Sequence, residues 1–108
     1  MDNIILKVKD FSITPGSRYK DEGDFSGEEY RKKILEPAFE KALEKNIKVL
    51  IDLDGTIGYG TSWLEEVFGG LARKYGVKYV MSLLDFKSEE EPYLINDIKE
   101  YIKNANEK

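Results

Sequence analysis

The spacing of apolar residues changes several times along the chain, and each change marks a predicted element. Between Asn3 and Phe11, Ile4, Leu6 and Val8 alternate with Lys7 and Lys9. A period of two predicts a strand with one inward face, and its lysines suit the edge of a sheet. Ser12 to Phe25 sets Pro15, Gly16 and Gly23 among polar residues and reads as a long surface connection. Ser26 with Glu29 has the form of a capping box, in which each side chain accepts from the other's unpaired backbone N–H, so a helix is expected to begin there. Tyr30, Ile34, Leu35, Ala38, Phe39, Ala42 and Leu43 recur every three or four residues and give that helix a buried face to about Lys45. Pro37 cannot donate to the carbonyl of Lys33, which predicts a kink or a restart.

Lys48 to Leu53 (KVLIDL), preceded by Ile47, is apolar toward nearly both faces, the pattern of a central strand covered by helices on each side. Asp52 and Asp54 fall at its carboxyl end. Gly55, Gly58 and Gly60 make a flexible turn, and Ser62 with Glu65 forms a second capping box, opening a helix that runs to about Tyr75 and stops at Gly76. Trp63, Leu64, Val67, Phe68, Leu71, Ala72 and Tyr75 share one arc of it. Gly69 and Gly70 interrupt that helix at roughly 1 kcal/mol each relative to Ala, so another backbone is expected to approach closely there. Val77 to Leu84 reads as the next buried strand. Ser88, with Glu91 and Pro92, starts a last helix whose apolar face is Leu94, Ile95, Ile98, Tyr101 and Ile102, and the tail from Asn104 to Lys108 is expected to fray.

The resulting order, β-α-β-α-β-α, predicts an α/β fold with a small mixed or mostly parallel sheet of three to four strands and about three helices. A chain of 108 residues fills one core, so residues 1–108 are read as a single domain. Ligands and partners of open α/β sheets meet the carboxyl ends of the strands, which points to the stretch from Asp52 to Ser62.

Composition narrows the chemistry. The chain has no cysteine and no histidine. Disulfides, thiolate sites, thiol nucleophiles and imidazole bases are thereby excluded, and carboxylates are left to hold any hard cation. With 17 basic and 21 acidic residues the net charge is −4, which opposes general binding to nucleic acid or anionic lipid. The first ten residues mix charges among apolar side chains and no run is long enough to span a bilayer, so a cytoplasmic location without a membrane partner is expected.

Leu50 to Thr56 read LIDLDGT, which looks like the first motif of the haloacid-dehalogenase phosphatases. That resemblance implies magnesium, with Asp52 as nucleophile and Asp54 as general acid/base. The family's later Ser or Thr, Lys and further acidic pair on successive strands are not all present after Thr56, where Asp85 stands singly near Lys87. A buried strand ending in an Asx-Gly turn accounts for the same residues.

A longer resemblance spans most of the chain. Ile13 to Leu43 and Ile51 to Gly76 resemble the STAS-like domain family. Its marks here are Arg18, Gly23 and Ser26-Gly27, then Asp52-Leu53-Asp54-Gly55, then Ser62-Trp63-Leu64-Glu65-Glu66 with Phe68-Gly69-Gly70-Leu71. The strand-turn-helix unit is similar to the signature of anti-sigma-factor antagonists. The resemblance implies a protein partner, an ATPase-fold kinase of the histidine-kinase-like type, that phosphorylates a serine at this helix's start. Placed on this chain, the phospho-acceptor is Ser62, with Thr61 before it. Gly60 stands where the signature has Asp, and Trp63 where it has Gly. A phosphate at a helix start is favoured by free N–H groups and the dipole, yet it adds negative charge to a surface that must meet a partner, so it can switch binding off.

The function expected from these readings is a non-enzymatic regulatory module that binds a protein partner through the surface around residues 55–71 and needs no cofactor. Gly58, Tyr59, Gly60, Trp63, Glu66 and Arg18 are the expected contact residues. Trp63 reads equally well as an interface anchor or a core side chain, and Ser62 as a modification site or an N-cap. Arg18, Lys20 and Arg31 read as a phosphate-binding patch or as a solvated charged face. The alternative is a magnesium-dependent phosphatase using Asp52 and Asp54. An anion sensor built on the turn's N–H groups ranks lower, since no Gly-x-x-x-x-Gly-Lys-Ser/Thr loop is present.

Overall fold

Val49 and Ile51 lose all solvent exposure in the middle strand of a three-stranded sheet. The computed structural model describes residues 3–105; most of the tail expected to fray lies outside the described residues. Strands β1 (Ile4–Lys7), β2 (Val49–Asp52) and β3 (Leu84–Lys87) run parallel in the order β1-β2-β3. Ile4 pairs with Val49 and Val49 with Leu84, so Lys7, Asp52 and Lys87 end the strands in one row. Ile4, Leu6, Leu84 and Phe86 join Val49 and Ile51 against one hydrophobic core. Ile5, Lys7, Asp85 and Lys87 turn to the opposite face and are largely open to solvent. The central strand was expected to be covered on both sides; its burial instead alternates along Val49–Asp52, with full cover on one face.

Among the described residues five helices pack with the sheet. The first, α1 (Val8–Phe11), is a single turn that ends the predicted first strand early. Val8 at 0% exposure and half-buried Phe11 point inward at helical spacing, while Lys9 and Asp10 face solvent. The connection that follows carries one 3-10 turn, Lys20–Glu22. Helix α2 spans 27–45, and Ser26 caps it by accepting from the Glu29 N–H at 3.0 Å. It is α-helical over Gly27–Tyr30 and Glu36–Lys45 but π-helical over Arg31–Leu35, where the Glu36 N–H reaches back to the Arg31 carbonyl. The disturbance expected at Pro37 takes this form: lacking an N–H for the Lys33 carbonyl, the chain widens one turn just before the proline.

Helix α3 spans 61–75 and is π-helical over Glu65–Gly69, with α-helical turns at Thr61–Leu64 and Gly70–Tyr75. Val77–Leu83 forms helix α4, and the third strand begins only at Leu84. This corrects the reading of Val77 to Leu84 as a strand. Val77, Val80, Met81 and Leu84 also satisfy helical spacing, and that period prevailed over the β-branched residues. Helix α5 (Tyr93–Lys103) buries Leu94, Ile98 and Ile102 as the pattern required, but begins after Pro92 and not at Ser88. Ser88 instead closes the preceding turn by donating to the Glu91 carbonyl at 2.7 Å.

The starts of α2 and α3 meet almost without side chain between them. A Cβ on Gly27 would lie 2.9 Å from the Trp63 carbonyl oxygen and 3.4 Å from its Cα. Trp63 itself is fully buried, packed beside Tyr30 and Tyr59. Gly27→Ala is therefore expected to force these helix starts apart and to destabilise the protein by about 1–3 kcal/mol, read as a lower urea midpoint at unchanged slope.

Candidate functional site

At the carboxyl end of β2 the chain makes a tightly anchored corner. Leu53 continues the pairing by donating to the Lys87 carbonyl at 2.8 Å. The Asp52 carboxylate accepts from the Asp54 N–H at 3.0 Å, an Asx turn, and its other oxygen lies 3.9 Å from Lys87 Nζ. Asp54 accepts from the N–H groups of Glu89 at 2.9 Å and Glu90 at 3.0 Å, and Glu90 Oε1 in turn accepts from the Gly55 N–H. The two carboxylates thus tie the β2 turn to the loop after β3. Among the described residues no group of three or more Asp and Glu side chains is placed to hold a metal ion. The N–H bonds from Glu90 and Glu89 hold the Asp54 carboxyl below its ordinary value, because they favour the charged form.

Beyond this corner the turn is open. Ile57 is 79% exposed, and its N–H donates to the Ile13 carbonyl at 2.7 Å, which sets it beside Ile13, itself 55% exposed. A Cβ on Gly58 or Gly60 would meet nothing within 4 Å. Tyr59 turns inward, donating to the Leu53 carbonyl at 2.7 Å, and burial pushes its phenol up to about 12.

Helix α3 begins at Thr61 with Gly60 as its N-cap. The capping box read from Ser62 and Glu65 is thereby corrected: Gly60 is already extended, and its carbonyl accepts from Leu64. Ser62 lies inside the first turn with its side chain exposed, next to exposed Thr61. The expected acceptor pair therefore sits on the surface, at the end of the open turn.

Three of the expected contact residues are elsewhere. Trp63 is core, at 0% exposure, with Nε1 donating to the Phe25 carbonyl at 3.1 Å. Glu66 and Arg18 belong to a charged network that is buried at Arg31, Glu36 and Glu66 and opens to solvent at Arg18, Arg73 and Lys74. Arg31 lies at its centre, bonded to Glu66 Oε2 at 2.8 Å, to the Glu66 carbonyl at 3.1 Å and to Glu36 at 2.5 Å. Arg18 reaches Glu65 at 2.8 Å and Glu66 at 3.5 Å, Arg73 reaches Glu65 at 2.6 Å, and Lys74 reaches Glu36 at 2.9 Å. Desolvation opposes the charge on Arg31, but hydrogen bonds and attraction from Glu66 and Glu36 outweigh it and raise its pKa. Burial likewise works against the charge on Glu36, and Lys74 and Arg31 outweigh it and lower its pKa.

Arg18 and Arg31 thus form neither a phosphate patch nor a solvated face, because carboxylates of this chain already engage them. The network also explains the glycine pair. A Cβ on Gly70 would lie 2.6 Å from Arg31 Nε, and one on Gly69 would meet the Glu65 carboxylate. What approaches there is charged side chain, not the second backbone that the sequence suggested.

The anchoring role of Asp54 has a pH signature. Its folded pKa lies below its ordinary 3.8, so its contribution is complete above that pH and is lost as pH falls through the folded value. Asp54→Asn should be less stable than the unmodified protein at neutral pH, with the difference shrinking below about pH 4 in urea titrations run as a pH series. A difference that stayed constant down to acid would contradict the assignment.

No helix among the described residues is long and apolar enough to cross a membrane. A family model described as a STAS-like domain of unknown function matches residues 26–94, from the cap of α2 to the first two residues of α5. No curated protein and no solved structure matches the chain. The match covers both π-bearing helices, the Asp52–Asp54 corner and the open turn between them, and on that ground the chain belongs to the STAS-like domain family of unknown function.

Proposed function

We propose that this domain is a non-enzymatic regulatory module that binds a partner protein through the turn and helix start at residues 55–62, with Ile13 alongside. The reading rests chiefly on one observation: exposed Ile57 is hydrogen-bonded next to exposed Ile13, a few residues before exposed Thr61 and Ser62 at the start of α3. Apolar side chains held outward on an anchored turn gain by leaving water when a partner covers them. Gly58, Tyr59 and Gly60 complete the surface, since the glycines leave it without bulk and Tyr59 fixes its base. Trp63 supports it from the core through Tyr59, while Glu66 and Arg18 are engaged with each other and with Arg31 and Glu65.

The class of partner comes from the resemblance to anti-sigma-factor antagonists, which implies a kinase of the ATPase fold. Phosphorylation at Ser62 would place about two negative charges beside Ile57 and penalise burial of that apolar patch. Asp52 and Asp54 serve here as the turn's anchors, and nothing in the comparisons favours the phosphatase reading.

The test compares unmodified protein, Ile57→Asp, Ser62→Ala and Ser62→Glu as tagged chains in host lysate, with bound proteins and intact mass read together. The reading expects one partner retained by the unmodified chain and Ser62→Ala but lost with Ile57→Asp and Ser62→Glu. An adduct of about 80 Da, one phosphate, is expected on the unmodified chain and not on Ser62→Ala. Equal retention by all four would show that this surface is not the binding site.

A further inference from the structure

Strand β3 is an edge of the sheet, and its outer side is open. Leu53 donates to the Lys87 carbonyl at 2.8 Å, so Lys87 turns its backbone groups toward β2. By the alternation of a strand, the N–H and C=O of Phe86 point the other way, out of the sheet, and no other hydrogen bond takes them up among the described residues. A groove of about 380 Å³ runs beside them, with Met81, Leu84, Phe86 and Ile95 as its apolar lining and Asp85 and Lys99 supplying its charges. An edge with free backbone groups beside an apolar groove is a template for one more strand.

The charges on β3 decide which strand fits. Asp85 and Lys87 stand on the solvent face of the sheet, on either side of Phe86, with side chains 52% and 46% exposed. Their pairs within the chain are loose, Asp85 at 3.8 Å from Lys48 and Lys87 at 3.9 Å from Asp52. An antiparallel copy of the same strand, related by a two-fold axis at Phe86, sets the two Phe86 residues opposite each other as a hydrogen-bonded pair. The same register places Asp85 of each copy opposite Lys87 of the other, and opposite charges in that position stabilise a cross-strand pair. The sheet's other edge, β1, reads Ile4-Ile5-Leu6-Lys7 and has no carboxylate to complement its lysine.

We propose that the chain forms a symmetric dimer by antiparallel pairing of β3 with β3 of a second copy, giving one continuous six-stranded sheet. Each Phe86 donates to and accepts from its counterpart, and its half-buried ring, edge-on to Phe68 at 5.5 Å, is covered further by the other Phe86. The pairing uses no residue of the 55–62 surface, so the assembly carries two such surfaces. A strand of four residues buries less than a tight interface requires, and the dissociation constant is expected at about 0.1–1 mM.

The experiment is sedimentation equilibrium of the full chain across that concentration range, on the unmodified protein, Asp85→Lys, Lys87→Glu and the double variant carrying both changes. The unmodified protein and the double variant should dimerise, and each single variant, which sets like charges opposite, should do so about tenfold more weakly. An equimolar mixture of the two single variants should dimerise again, because every charge then faces its opposite, whereas damage to the fold by either substitution would not be reversed by mixing. The chain has no cysteine, so Asp85→Cys mixed with Lys87→Cys gives a second readout: under mild oxidation the disulfide between the two variants should form in preference to that of either variant with itself. Monomer throughout, a dimer indifferent to the charge changes, or single variants that fail to associate on mixing would each overturn the proposal.

Discussion

The Arg31–Glu66 pair fixes how α2 and α3 cross, and most of the domain follows from that crossing. Arg31 uses three donors at once, on the Glu66 carboxylate, the Glu66 carbonyl and Glu36. A buried ion pair recovers its desolvation cost only when the remaining donors and lone pairs are also met, and here Arg18 does so at Glu66 and Lys74 at Glu36. Both partners stand in π-helical turns, Arg31–Leu35 and Glu65–Gly69. Each wide turn shifts the register of its helix and leaves room that an α-helical turn would fill. Gly70 provides the rest of that room, since any side chain there would collide with the guanidinium.

From this crossing the consequences run outward to the surface. With α3 held on α2, Trp63 packs against Tyr30 and its indole N–H meets the Phe25 carbonyl, which draws in the long connection before α2. The start of α3 is then a fixed platform. Asp54 and Glu90 fix the other end of the turn to the loop after β3. Between two anchored ends the 56–60 stretch presents Ile57 to solvent while Tyr59 holds it from within. A surface built in this way needs little ordering on association, which removes one of the main costs of binding.

Much of this was legible in the sequence. The apolar run around Ile51 fixed the central strand, the Ser26 cap located α2, and the spacing of Leu94, Ile98 and Ile102 gave the face of α5. The likeness of Ile51 to Gly76 to STAS-like domains lies within the matched 26–94. Helix α4 was missed because Val77, Val80 and Leu84 satisfy a strand's composition and a helix's period at once.

At the site, the positions of Thr61 and Ser62 were legible, but the N-cap was not, because Gly60 offers no side chain to announce it. The charged network was hidden for a different reason. Arg18, Arg31, Glu36, Glu66 and Lys74 are far apart in the chain, and single charged residues on amphipathic helices read as solvent-facing until the fold brings them together. Ile13 and Ile57 were missed for the same reason, since only the fold joins their backbones.

The crossing can be measured directly by a double-mutant cycle on Arg31→Met and Glu66→Gln, with unfolding free energies taken from urea titration. Each single change should cost about 2–3 kcal/mol, because Arg31 keeps Glu36 and Glu66 keeps Arg18 when the other partner is removed. The double variant should fall short of the sum by about 1–3 kcal/mol. Losses that add to within about 0.5 kcal/mol would mean that the pair does not hold the two helices together.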